Sequence, residues 1–198
     1  MKTEKINPLK VVTVITMFAM LLTTAACQNK KATAQENKST NAGVGVKPPQ
    51  IDIHTAVVTG NLDAIQQHIA AGSDINAKDP FGGSSPLISA AVFGKSEIAK
   101  TLINAGASLN FQNNDGSTAL HTAAFFCRPE IVKMLLAKGA DKTIKNNYGS
   151  TAYEGVVVPF KDVKAVYDMM GKALGPMGLN LDYAYIEKTR PEIAAMLK

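Results

Sequence analysis

No tryptophan occurs in this 198-residue chain, and aromatic residues make up only 6% of it. Its core must therefore come from small aliphatic side chains rather than large rings. Cysteine occurs twice, too few for a disulfide framework. The most apolar uncharged run, Val11–Leu22, has 12 residues, short of the roughly 20 that cross a bilayer as a helix. There is no phosphate loop, paired-carboxylate signature or nucleophile elbow. The net charge of +5 is also absent from most of the chain. Residues 1–26 carry +2, residues 27–50 carry +3, and residues 51–198 balance 14 basic against 14 acidic side chains. Overall charge thus gives the main part no preference for nucleic acid or another polyanion. What is present, 46% hydrophobic and 19% charged residues, suits one folded domain behind a leader.

The leader is legible in outline. Three lysines precede Val11–Leu22, and the small residues Thr23-Thr24-Ala25-Ala26 follow it, the order of a secretory signal. A short membrane anchor or buried helix is the alternative. Cys27 comes next, and Thr24-Ala25-Ala26-Cys27 resembles the lipobox of bacterial lipoproteins, with Thr24 where that family usually has Leu. The resemblance implies cleavage before Cys27, a diacylglycerol on its thiol and, with Gln28 after it, an outer-membrane position facing the periplasm. Residues 27–50 are polar and end in Pro48-Pro49. They cannot bury enough apolar area to offset ordering entropy, so a flexible tether is expected.

The remainder, residues 51–198, is organised by a period of 33. Leu87-Ile88-Ser89-Ala90-Ala91 returns as Leu120-His121-Thr122-Ala123-Ala124, and Gly106-Ala107 as Gly139-Ala140. Gly116-Ser117-Thr118-Ala119 returns unchanged at Gly149-Ser150-Thr151-Ala152, and Ile53-His54-Thr55-Ala56 lies 34 residues before the first of these segments. Ser85-Pro86, Thr118-Ala119 and Thr151-Ala152 place a hydroxyl at a helix N-cap, and Thr151 with Glu154 forms a capping box. Ile98 and Leu102, then Ile131 and Leu135, recur at helical spacing. Gly72, Gly106 and Gly139 suit left-handed C-caps. Each unit reads as two short antiparallel helices and a turn, which bury their apolar faces only by stacking.

This pattern resembles the ankyrin repeat, most closely at Gly116–Ala124 and Glu130–Asp141. The expected fold is an all-α ankyrin-repeat solenoid of about four helix-turn-helix units, at about 51–80, 81–113, 114–146 and 147–198. The last is interrupted. Arg128-Pro129-Glu130-Ile131 reappears as Arg190-Pro191-Glu192-Ile193 after 62 residues, so an insertion at about 161–189 displaces the last second-helix to Pro191–Leu197. Val163, Val166, Tyr167, Met170 and Leu174 form an apolar helical stripe in it, and Leu181, Tyr183, Ala184 and Ile186 begin a further short piece. The insertion has two readings, a cover for the open end of the stack and a binding surface of its own.

The chemistry-bearing residues are few. His54 and His121 share a register, and the ankyrin resemblance implies structural histidines that bond the turn; two layers apart, they cannot share a metal. His68 is expected on an exposed helix face. Cys127 stands at a helix–helix turn where Gly60 and Gly94 stand in other units, a buried thiol rather than a nucleophile. Met134, Met169, Met170, Met177 and Met196 fill gaps at helix positions rather than bind a soft metal. No cofactor or metal site is expected.

The ankyrin resemblance leaves its variable positions for partner binding: Phe81, Val92, Phe93, Asn114, Asp115, Phe125, Phe126 and Tyr148. Four of the chain's seven phenylalanines fall there, and aromatics dominate protein–protein hot spots. Phe93 and Phe126, 33 apart, either stack on each other or face a partner. The expected function is a protein-interaction module in the bacterial envelope, binding another protein through the concave face. An inhibitor or immunity-type protein neutralising an enzyme or toxin is the alternative, and an enzyme using Cys127 is a third.

Overall fold

The computed structural model describes residues 46–198; the leader, Cys27 and most of the tether lie outside the described residues. Three helix pairs come first: α1 (Ile53–Thr59) with α2 (Leu62–Ala70), α3 (Pro86–Phe93) with α4 (Ser96–Asn104), and α5 (Ala119–Phe125) with α6 (Pro129–Ala137). Then come α7 (Ala152–Val157), α8 (Phe160–Leu174), a short 3-10 turn at Gly175–Met177, and α9 (Tyr183–Leu197). No strand occurs among the described residues.

Hydroxyl caps at the starts of α3, α5 and α7 and a repeated bond pattern at the ends of α2, α4 and α6 set these helix lengths. The Ser85, Thr118 and Thr151 hydroxyls accept bonds from the amides of Ile88, His121 and Glu154. The Glu154 carboxylate closes the box by accepting from the Thr151 amide at 2.8 Å. At the end of α4, Gly106 N–H donates to Ile103 C=O and Ala107 N–H to Leu102 C=O. This is a Schellman cap, repeated after α2 and α6. It needs a left-handed residue, and Gly106 supplies it with φ +85°.

The pairs stack in two layers. Helices α1, α3, α5 and α7 pack in succession, and α2, α4, α6 and α9 form the second row. Ala56, Ala90, Ala91, Ala123 and Ala124 are buried along the first row, where small side chains let successive helices approach closely. Ile65, Leu102, Ile131, Leu135 and Ile193 fill the space between the rows.

The last helix differs from expectation. Tyr183–Leu197 is one helix, so the Leu181–Ile186 segment is not a separate piece, and Pro191 lies inside it. Proline leaves the carbonyl four residues back without its helical donor. Here that residue is Glu187, and both it and Pro191 face solvent, where water can serve the carbonyl.

A buried relay ties the insertion to the stack. In the second pair the first-helix carbonyl of Val92 accepts from Arg128 Nη2 at 3.2 Å. The carbonyl 33 residues later, Phe125, instead accepts from the Tyr167 hydroxyl of α8. Arg190, in the register of Arg128, donates through Nη1 to that hydroxyl at 2.9 Å. Its Nη2 caps the end of α7 through the carbonyls of Gly155 and Val158, at 3.0 and 2.7 Å. The insertion thus places a tyrosine between an arginine and the carbonyl it would otherwise meet. Tyr167 is fully buried and stacks on Phe125 with ring centroids 4.4 Å apart.

Removing the Tyr167 hydroxyl strands a buried carbonyl and a buried guanidinium donor, each costly to leave unpaired. Tyr167→Phe is expected to lower stability by about 1–3 kcal/mol in urea unfolding. Tyr183→Phe, whose hydroxyl bonds Asp168 at the surface, should cost less; equal losses would deny the relay its role.

Candidate functional site

Between pairs the chain makes three tight tips, at residues 79–84, 113–117 and 146–150. Each is closed by one backbone bond: Asp79 N–H to Ser84 C=O, Asn113 to Ser117 and Asn146 to Ser150. The first residue's side chain then collects the amides inside the turn, as Asx residues do. Asn113 accepts from Asp115 and Ser117, and Asn146 from Tyr148 and Ser150. Asp79 accepts from Phe81, Gly82 and Ser84 at 2.7–2.8 Å. Burial pushes the Asp79 carboxyl up, but the amide donors outweigh it and hold it below the usual carboxylate range.

The tips are also bonded to one another. Asn114 N–H donates to Gly82 C=O at 3.0 Å, and Asn147 N–H to Asp115 C=O at 2.9 Å. Asn147 Nδ2 reaches Asn114 C=O at 2.9 Å, and the Tyr148 hydroxyl donates to Asp115 Oδ1 at 3.3 Å. Deeper in the loops, Asn76 and Asn110 side chains accept from the Ser108 and Asp141 amides of the next unit. The result is a fixed row from which side chains project. Phe81 projects furthest, with 90% of its surface exposed, and Tyr148 is 41% exposed.

The eight candidate partner-binding residues fall into two groups. Phe81, Asn114, Asp115 and Tyr148 lie in the tip row, before the N-termini of α3, α5 and α7. Val92, Phe93, Phe125 and Phe126 lie at the opposite, C-terminal ends of α3 and α5. The fold therefore does not join them into one stripe. Val92, Phe93 and Phe125 are half-buried, whereas Phe126 is only 3% exposed. Phe126 sits edge-on to Phe125 with centroids 5.2 Å apart and also meets Tyr167. No Phe93–Phe126 stack occurs among the described residues. Phe126 packs in the core because α8 covers that end of the third pair.

The histidines behave in three different ways. His121 is bonded as expected: Nδ1 meets Thr118 Oγ1 at 2.9 Å and Nε2 meets Ser150 C=O at 3.0 Å. Burial lowers its pKa, partly offset by the backbone bonds to Ser150 and Ile144. His54 departs from the expectation, since both ring nitrogens are buried without a partner among the described residues. Its helix starts at Ile53, so it is the second residue after the cap where His121 is the third. His68 is a correction: it is buried, not on an exposed face. Its Nε2 meets Ile51 C=O at 2.8 Å and its Nδ1 Ser73 Oγ at 3.0 Å, tying the chain's entry to the first pair. The wide sequence separation of His68 and Ile51 hid that role.

Cys127 adopts the left-handed conformation of the glycines in its register, with φ +51°, which costs a side-chain-bearing residue about 1 kcal/mol or more. It is fully buried, with Sγ 3.5 Å from Ile186 C=O. Burial pushes its thiol up to about 11 despite Arg190 and Arg128 nearby, which disfavours the nucleophilic thiolate. Among the described residues no three His, Cys, Asp or Glu side chains gather as metal ligands would. A groove of about 320 Å³ opens between the end of α7, the start of α8 and α9. Val156, Val157, Phe160, Pro191 and Ala194 wall it, with Glu187 and Arg190 also in the lining.

The stacked pairs with bonded tips define an ankyrin-repeat fold. Residues 53–146 match the family model for ankyrin repeats (3 copies), and the match stops before the interrupted fourth pair. The ankyrin repeat domain of Bcl-3, a member of the IkappaB protein family, is similar in structure with a TM-score of 0.51 and 30% identity. That similarity covers 58% of this chain and 50% of the other. Protein phosphatase 1 regulatory subunit 27 of Homo sapiens and its Mus musculus counterpart are 38% identical over 64 residues, 32% of this chain. The chain spans 41% of the length of those relatives.

Two tests follow from the buried side chains. In a Cys27→Ser background, a thiol reagent should label native Cys127 slowly and unfolded Cys127 at once; fast native labelling would contradict its burial. His121 is held neutral in the folded state, with a pKa below its ordinary 6.5. Acid therefore protonates the unfolded chain first, and stability should fall as pH drops below about 6.5. Melting temperatures across that window should fall less steeply in His121→Asn.

Proposed function

We propose that this protein is an interaction module that binds another protein through the concave ankyrin side, with the tip row as its principal contact. The observation that carries this reading is Phe81. A large apolar ring is 90% exposed on a turn that three amide bonds to Asp79 hold in place. Ordering such a turn in advance lowers the entropic cost of docking, and a rigid aromatic is a typical hot-spot residue. Tyr148, steadied by Asp115, supplies a second anchor. The regulatory-subunit name of the curated relatives supports the binding of a protein whose activity is then modulated, which includes the inhibitor reading.

The thiol of Cys127 takes no part, because it is buried and held protonated. In the same proposal Cys27 carries the lipid and residues 27–50 serve as the tether, on the strength of the lipobox resemblance and the polar composition after it. Two acyl chains hold a protein at a membrane far more firmly than one.

Affinity capture from envelope extract tests the reading. A partner held by the native protein should be lost with Phe81→Ala and weakened with Tyr148→Ala, each hot spot being worth about 2 kcal/mol or more, roughly thirtyfold. A partner held equally by both variants would exclude the tip row. Cys27→Ser should move the protein from the membrane to the soluble fraction; retention at the membrane would exclude the lipid anchor.

A further inference from the structure

The helix that covers the third pair is lightly held. Of the 15 residues in α8, only Val163 and Tyr167 are buried. Its backbone approaches neither row as closely as helices within the rows approach each other. Both ends suit a hinge. No side chain caps its start after Val158-Pro159, and its end passes into Gly175-Pro176-Met177-Gly178, where Gly178 is left-handed with φ +94°. The chain is fixed just outside those ends, because Val158 C=O accepts from Arg190 Nη2 and Leu179 is buried. Hydrogen bonds between α8 side chains and the rest of the described chain run through two tyrosine hydroxyls. The inner one joins Tyr167 to Phe125 C=O and Arg190. The outer one runs from the Tyr183 hydroxyl to Asp168 at 2.8 Å, and Lys164 also lies over the Tyr183 ring.

We propose that α8 is a releasable cover, which lifts from the third pair as one unit while α9 stays in place. The hinges are Pro159 and Gly175–Gly178. Breaking the inner hold strands neither of its partners. Arg190 remains bonded to the carbonyls of Gly155 and Val158, which lie outside α8. It stands in the register of Arg128, which bonds Val92 C=O directly, so with Tyr167 withdrawn it takes the Phe125 carbonyl in the same way. The second pair thus displays the uncovered arrangement, and the third pair has two alternative ways to satisfy the same groups, as a switching element requires. Release uncovers Phe125 and Phe126 and joins them to the half-buried Val92 and Phe93 in a strip along two successive helix ends. In the closed state the stacking of Tyr167 on Phe125 hides half of that strip. The cover therefore sets how much of the helix-end surface the stack presents. The tip row lies at the opposite ends of these helices, so the device stands whether or not Phe81 binds a partner.

Hydrogen exchange of the full chain in low urea, read by mass spectrometry, tests the proposal. Amides of 160–174 should exchange together, about hundredfold faster than those of α5 and α9. Low urea should barely change their rate, because lifting one helix exposes little surface. Tyr167→Phe removes the inner hold from the closed state and should raise the 160–174 rate about tenfold. Asp168→Ala removes the outer bond and should raise it severalfold. Leu102→Ala hollows the core of the stack and should speed exchange in α3–α6 while leaving 160–174 unchanged. Circular dichroism verifies that each variant is folded. A 160–174 rate that follows Leu102→Ala overturns the proposal, since α8 then leaves only when the whole stack unfolds. A rate indifferent to Tyr167→Phe also overturns it, since that is fraying within a docked helix. If Tyr167→Phe does not fold, Asp168→Ala decides by the same criterion.

Discussion

A helix of seven to nine residues cannot bury its own apolar face, and a pair of them does little better. Each pair in this chain leaves its alanine-lined side open until the next pair closes it. That single constraint accounts for most of the architecture. It accounts for the 33-residue repeat, the small residues at Ala90-Ala91 and Ala123-Ala124, and caps that hold the helices of the first three pairs to seven to nine residues. It also leaves an open last face, which α8 and α9 close by an irregular route.

The irregular route preserves the chemistry of the regular one. In the second pair an arginine bonds the carbonyl near the end of a first helix, Arg128 to Val92. At the third pair the bond runs from Arg190 through Tyr167 to Phe125. A guanidinium buried to 4% exposure with no carboxylate partner among the described residues is tolerable because its donors meet carbonyls at the negative end of α7 and a tyrosine hydroxyl. The aromatic cluster of Phe125, Phe126 and Tyr167 then fills the volume the insertion brings. Among the variable positions, the tip row stays open while the helix ends of the third pair are covered.

The tip row is rigid for the same reason that the stack is. Each turn is closed by its first side chain and bonded to the neighbouring turn, so fixing one pair fixes the next tip. The first tip is one residue longer than the others, with Pro80 and two glycines around Phe81. That extra residue accompanies the most exposed aromatic of the described chain.

Local chemistry was legible in the sequence. The caps at Ser85, Thr118 and Thr151, the glycine stops and the alanine pairs all follow from short-range spacing, because neighbours in the chain are neighbours in space, whereas the bonding of His121 to the turn was implied by the ankyrin resemblance. The displaced register of Arg190 was legible too, through its echo of Arg128-Pro129. Tertiary structure decided the rest. The Val92–Phe93 and Phe125–Phe126 pairs share a register, yet only the second lies under a helix from further along the chain, Phe160–Leu174. The helical spacing points His68 to solvent, and only the way the chain enters the first pair brings Ile51 C=O to its ring. His54 and His121 differ because one helix starts a residue later relative to its histidine. Repeats specify contacts that recur at a fixed separation. Contacts made once, between an inserted helix and the unit it happens to cover, carry no period, and only the packed chain brings them together.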